Sequence, residues 1–198
     1  MAEIFLWVDK IPGESLDAVG GGPPHIDDIE LLAWELGVGN THDHHRMKDA
    51  AKPQANKPEA NKQATNKQPT NTHVTSRHES NSDKISDKTD VRELTVWKLI
   101  DLATKPLVQA CATGTIIEKA TLTLRKSAGD YKLEYMVIDF FKLKVLGVNW
   151  EESEQEQKKE KVTFRFSKFK LRYTMQDNSG EGQGHLDFGW NQTDHAVF

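Results

Sequence analysis

Three things are scarce in this 198-residue chain: cysteine, long apolar runs and an excess of charge of one sign. Cys111 stands alone, so no intrachain disulfide can form, and a small secreted scaffold held by disulfides is excluded. No apolar stretch approaches the roughly 20 residues that a membrane-spanning helix needs, so membrane insertion is not expected. The formal charge of −4 leaves no broad basic footprint for nucleic acid. The N-terminus has no basic stretch leading into an apolar run and a small-residue cleavage site, and residue 2 is Ala rather than Gly. Neither a signal peptide nor a myristoyl anchor is therefore expected. Also missing are a Walker-type loop, a dinucleotide fingerprint, a nucleophile elbow and a paired-Cys motif, and no nucleophile stands with a base and an orienting group. Catalytic, cofactor and metal sites are not expected.

What is present is unevenly spread. Residues 46–90 hold no aromatic residue, although the chain has 8 Phe, 5 Trp and 3 Tyr. Lys52 to Asn71 is four tandem pentapeptides, each beginning with Lys and ending with Asn. A period of five matches neither helix nor strand, so folding would give these residues no apolar face. Between Lys48 and Lys84 the only large apolar side chain is Val74, too little burial to offset roughly 1–2 kcal/mol of backbone entropy per ordered residue. A mobile insertion over residues 41–90 follows, inside one domain made of the remaining residues. His42, His44 and His45 stand at its mouth. Nothing nearby completes a tetrahedral ligand set, so they read as a solvated loop rather than a metal site.

Outside the insertion the chain reads as strands. Ile4–Val8 is a short apolar run closed by Pro12-Gly13. From Ile29 to Val38, Leu32, Trp34, Leu36 and Val38 are expected on the core face, with Leu31, Ala33, Glu35 and Gly37 opposite. Leu94, Val96 and Lys98 share one face of the next strand. One helix is expected, with Thr104 as N-cap, Pro106 in the first turn, an apolar stripe at Leu107, Ala110 and Cys111, and Gly114 as C-cap. Cys111 reads as a small buried hydrophobe.

Ala120, Leu122 and Leu124 alternate with Thr121, Thr123 and Arg125. Leu133–Val148 is expected to hold a strand pair or a bend. Val162, Phe164 and Phe166 form a core face, and a phase shift at Lys168 suggests a β-bulge before Phe169, Leu171 and Tyr173. Gly180, Gly182 and Gly184 read as a flexible turn, and Glu151–Glu156 with Lys158, Lys159 and Lys161 as a charged loop. The pattern is mainly β, an antiparallel barrel or sandwich with one packed helix.

Taken in order, several segments resemble the haemolysin-coregulated protein (Hcp) family, the tube subunits of bacterial type VI secretion systems. They are Ile4–Val8 with Gly13-Glu14-Ser15, Ile29–Gly37, Lys98–Asp101 with the helix to Gly114, Ala120–Lys126, Val162–Phe166 with Tyr173, and Gly189-Trp190-Asn191. The resemblance implies two antiparallel sheets forming a β-barrel with one α-helix outside, and no catalysis or cofactor. It implies a homohexameric ring stacked into a hollow tube, with sheath, spike and effector proteins as partners. It also implies export from the bacterial cytoplasm through the apparatus itself. A secreted cargo-binding ring that rarely polymerises, or a phage-type tail-tube protein, is the alternative. With nine residues after Gly189, no fused toxin domain is expected.

The same resemblance marks Glu35 and Ala33 as lumen candidates. Glu35 stands where a small hydroxylic residue is common, so a ring of them would favour basic cargo unless a lining Lys or Arg neutralises it. The ends of the insertion, at Asn40, His42, His44, His45 and Val91, fall in the loop implied in ring stacking. Two tests follow. Glu35→Ser should lower the retention of basic co-purifying cargo. Deleting Lys52–Asn71 and following tube length by electron microscopy separates repeats that loop out to solvent while the ends of the insertion stack, which leaves tubes unchanged, from an insertion that weakens stacking, whose shortening lengthens them.

Overall fold

A single strand of 21 residues organises the fold. The computed structural model describes residues 3–17, 24–41, 88–128, 131–151, 158–177 and 182–198. The strands are β1 (Glu3–Val8), β2 (Leu16–Asp17), β3 (His25–Ile26), β4 (Ile29–Glu35), β5 (Val38–Thr41), β6 (Lys88–Val91), β7 (Leu94–Leu99), β8 (Ile117–Ala128), β9 (Tyr131–Glu151), β10 (Lys159–Arg165), β11 (Lys168–Gln176), β12 (Gly182–Asn191) and β13 (Ala196–Val197), with one helix, α1 (Thr104–Thr113). Met1–Gly39 with Thr89–Phe198 forms one compact unit and Asn40–Lys88 a second.

Within the first unit β9 pairs with β8 through Leu143 and with β11 from Met136 to Phe141, then with β10 from Lys144 to Glu151. It bends at Lys142, whose φ of 54° puts a non-glycine residue in the left-handed region at the changeover. Leu133–Val148 is thus one bent strand and not a pair. Because β10 pairs with both β7 and β9, the order β9-β10-β7-β4-β1-β8 closes on β9 again. Inside that ring lie Leu6, Ile29, Leu94, Val96, Leu122, Ile138, Phe140, Val162 and Phe164, all essentially inaccessible. The strands β11, β12 and β13 continue outward from β9 as an arm.

The local differences from expectation each have a cause. In β4 the register shifts between Leu31 and Ala33, so Leu32 is an extra residue. The bulge reverses the alternation: Ile29 and Leu31 point inward before it, Trp34 packs on the core after it, and Leu32 is left 49% exposed. At Lys168 there is no bulge, since the phase shift is the break between β10 and β11. Lys159 and Lys161 belong to β10, and Gly182 and Gly184 belong to β12, Gly184 at a φ of 67°. Thr104 is the first helical residue and not the cap. Its Oγ1 accepts the Asp101 N–H, while the Asp101 carboxylate accepts the Ala103 N–H. Gly114 ends α1 in the left-handed conformation as expected, and Leu107 and Ala110 are buried.

Two polar networks lock the ring. Lys98 and Glu160 are both fully buried, inward residues of β7 and β10 directly across from each other. The Lys98 Nζ lies 3.2 Å from Glu160 Oε1 and 2.6 Å from Asp101 Oδ1, and donates to the Leu99 carbonyl at 2.8 Å. Trp150 Nε1 donates to the other Glu160 oxygen at 3.0 Å. Lys98 thereby ties the loop that starts α1 to the barrel end.

The second network lies outside the ring, where the β2–β3 hairpin covers β1 and β8. His25 stacks parallel on Phe5 at 4.2 Å, and the Arg125 guanidinium lies 4.8 Å from the Phe5 ring. Arg125, which alternation sets on the face opposite Leu122 and Leu124, is therefore buried, reaching Glu3 at 2.7 Å and Asp17 at 2.6 Å. His25 lies 2.7 Å from Asp28 and 3.3 Å from Glu134. Gly13 lets the hairpin base close on the strand, because a Cβ there would stand 2.3 Å from the Asp28 carbonyl oxygen.

Burial alone favours the neutral imidazole, but the hydrogen bonds and charges of Asp28 and Glu134 outweigh it and raise the His25 pKa to about 9. The Arg125 hydrogen bond, opposed by burial and supported by Lys132, lowers Asp17 to about 2. Since the ordinary His value is 6.5, the His25 contribution is complete below that pH and is lost as pH rises through 9. That of Asp17 is complete above its ordinary 3.8 and lost as pH falls towards 2. Thermal melts should thus show a stability plateau with acid and alkaline flanks, and His25→Gln should lower the plateau and flatten the alkaline flank. Lys98→Ala, which strands a buried carboxylate, should cost about 3–5 kcal/mol in urea unfolding.

Candidate lumen face and assembly surfaces

Neighbouring strands place their outward residues in cross-strand rows. On β4, β7, β10 and the second half of β9, pairing aligns Glu35 with Thr95, Thr95 with Thr163, and Thr163 with Gly147. The next row is Ala33, Trp97, Lys161 and Asn149. The two lumen candidates, Ala33 and Glu35, therefore stand on one outward face, both exposed, in adjacent rows. The Lys161 ammonium sits 5.2 Å from the Trp97 ring centroid, a cation–π contact. Among the described residues Glu35 has no ion-pair partner, so its carboxylate is available to a cationic group. The face offers acceptors, hydroxyls, the Lys161 ammonium and one aromatic plate. It pairs no nucleophile with a base.

Of the stacking candidates, Asn40 lies on β5 and Val91 on β6, and these strands pair as a two-stranded ribbon. Val91 is partly buried against the core. His42, His44 and His45 fall outside the described residues, as do the pentapeptides, Gly180 and Glu152–Glu156.

A further surface is one that the sequence reading did not single out. On the arm, Phe169 faces Trp190, Leu171 faces Phe188 and Tyr173 faces Leu186. Phe169 is a buried core residue and its ring lies 6.0 Å from that of Phe188. This apolar face is thus the core face of the barrel, continued past the point where the ring closes. Leu186 and Phe188 are 59% and 45% exposed on it. The signal in the sequence was the alternation of Leu186, Phe188 and Trp190 with Asp187 and Gly189. Lys98 carried a similar signal: a Lys in step with Leu94 and Val96 must bury a partner or break the pattern.

Among the described residues no helix is long and apolar enough to cross a membrane. Residues 61–173 match the family described as "Type VI secretion system effector, Hcp". The chain is 33% identical to Protein hcp1 of Pseudomonas aeruginosa over 106 residues, which span 52% of this chain and 65% of that protein. The fold is similar to the crystal structure of Hcp1 from Salmonella typhimurium, with a TM-score of 0.65, 25% identity, and 100% of this chain and 99% of that chain covered. It is similar also to a solved structure of a type six secretion system protein, at a TM-score of 0.72 and 19% identity with both chains fully covered. The family match extends over more than half of the sequence, and the chain belongs to the Hcp family of type VI secretion proteins.

Proposed function

We propose that this chain is a structural subunit of a type VI secretion tube and not an enzyme. In this reading it assembles into homohexameric rings that stack, line a lumen able to carry small effector proteins, and leave the bacterial cytoplasm through the apparatus. Sheath and spike proteins are its partners. The observation that carries the reading is the core face left open on the arm. A chain that buries an entire barrel core yet leaves Leu186, Phe188 and half of Tyr173 in water is built for a neighbour to cover them. In a ring each copy meets the next through two different patches, the heterologous arrangement that cyclic symmetry closes.

Ala33 and Glu35 are the proposed lumen residues. Their face is largely polar, as suits a wall past which cargo must move, and Glu35, without an ion-pair partner among the described residues, gives it affinity for basic cargo. Asn40 and Val91, on the paired ribbon, remain the proposed ends of the stacking loop, with residues 41–90 interrupting one barrel domain.

Size exclusion with light scattering should give a hexamer for the wild type. Leu186→Asp with Phe188→Asp should give a monomer with unchanged circular dichroism, because both side chains lie outside the enclosed core. A strictly monomeric wild type at all concentrations sinks the reading.

A further inference from the structure

Where β9 changes partner, the sheet forks and leaves a concave place on its surface. At Lys142 the strand passes from β11 to β10, β10 ends at Arg165, and β11 begins at Lys168. A cleft of about 430 Å³ opens there, a volume that suits a small molecule. Lys142 and Lys144 reach it from β9, Arg165 from the end of β10, and Gln192 and Thr193 from the turn after β12. Its apolar side is made by Ile116 and Leu146, 51% and 45% exposed. Three cations line the cleft, and among the described residues no carboxylate does.

Strand pairing sets Arg165 directly opposite Lys144. Like charges in facing positions repel each other, an arrangement that destabilises a sheet unless something of opposite sign joins them. Part of the charge is met within the chain: Arg165 lies 3.0 Å from Glu93, and Lys142 pairs with Glu118. Those four side chains are well exposed, and such pairs contribute little in water. The Glu93 contact uses one guanidinium nitrogen and leaves the Arg165 fork with further donors. Among the described residues Lys144 has no ion-pair partner, and the Thr193 hydroxyl and the Gln192 side-chain amide have no hydrogen-bond partner within the protein. The cleft thus joins charge of one sign and free neutral donors to a small apolar wall.

We propose that this cleft binds a small organic phosphate, the phosphate group held between Arg165 and Lys144 and the organic part resting on Leu146 and Ile116. A planar guanidinium matches two phosphate oxygens at once, and each lysine adds a point charge. A phosphate monoester carries close to two negative charges, so it offsets the repulsion across the β9–β10 pair as a neutral ligand cannot. A nucleic-acid strand is a poorer match, because it needs a basic groove that runs on for several nucleotides. Here the adjoining cleft, which shares Arg165 and Phe166, is lined by Asp90 and Glu93 as well as Arg92, and the positive excess stops. All the residues of the site belong to one chain, so the proposal does not rest on the assembly reading.

The test is calorimetric titration of the full chain with inorganic phosphate and with phenyl phosphate, each compared with sodium chloride at matched ionic strength. Phenyl phosphate should bind at one site per chain, about tenfold more tightly than inorganic phosphate, the gain from covering ~55 Å² of apolar surface. Arg165→Gln with Lys144→Gln should weaken both ligands at least about tenfold. Lys105→Gln with Lys126→Gln removes as much charge outside the cleft and should leave both unchanged. Leu146→Ser should abolish most of the preference for phenyl phosphate while inorganic phosphate still binds, which shows the charged part of the site intact. Heat that chloride reproduces, or binding that the Lys105 and Lys126 changes weaken as much as the cleft changes do, overturns the proposal. So does a phosphotyrosine peptide that binds more tightly than phenyl phosphate, since the phosphate then belongs to a partner's side chain and not to a free small molecule.

Discussion

The fold depends on one edge of β9 serving two partners in succession. Up to Phe141 that edge is hydrogen-bonded to β11, and from Lys144 onward to β10. The changeover at Lys142 lets one strand belong to a closed ring and to an open arm at once. Were β9 straight, a single strand would occupy the edge throughout and the sheet would either close fully or stay open. The fork gives both outcomes: a sealed core, and a core face extended beyond the seal. The first supplies most of the apolar burial that holds the chain together. The second is the surface on which assembly is proposed.

Charge placed inside or against this ring is costly unless it is paired, and in both networks each charged side chain lies within 3.3 Å of one of opposite sign. Lys98 reaches two carboxylates and a carbonyl, and Glu160 is held from two sides. Arg125, Lys132, Glu3 and Asp17 share their contacts as a group. Apolar residues in these places would hold the ring with less directional demand. The ionic contacts instead fix where α1 starts and where the β2–β3 hairpin, two residues a strand, lies.

Much of the fold was legible because alternation survives in the sequence. The inward sets of β1, β7, β8 and β10 read directly from Leu6, Val96, Leu122 and Phe164. Alternation fails where the backbone slips by one residue, since a bulge is a property of the pair and not of one strand. That is why Leu32 was expected inside and Leu31 outside. Burial of Arg125 was invisible for another reason: the cover comes from a hairpin about a hundred positions away, with only four strand residues to announce it. The lumen candidates Ala33 and Glu35 share one face whichever phase is chosen, because they are two residues apart, and the structure leaves that face exposed. The arm was harder to find, for exposed Leu186 and Phe188 look in sequence like any strand with a buried side.

The β5–β6 ribbon has a consequence for how this chain can vary. Its strands run side by side, with Gly37 accepting the Arg92 N–H and Gly39 facing Asp90, so the chain leaves β5 at Thr41 and enters β6 at Lys88 from neighbouring points. A change in the number of residues between those points leaves both ends of the ribbon where they are. The register of β4 on β7, the barrel strands that flank the ribbon in sequence, is therefore independent of that number.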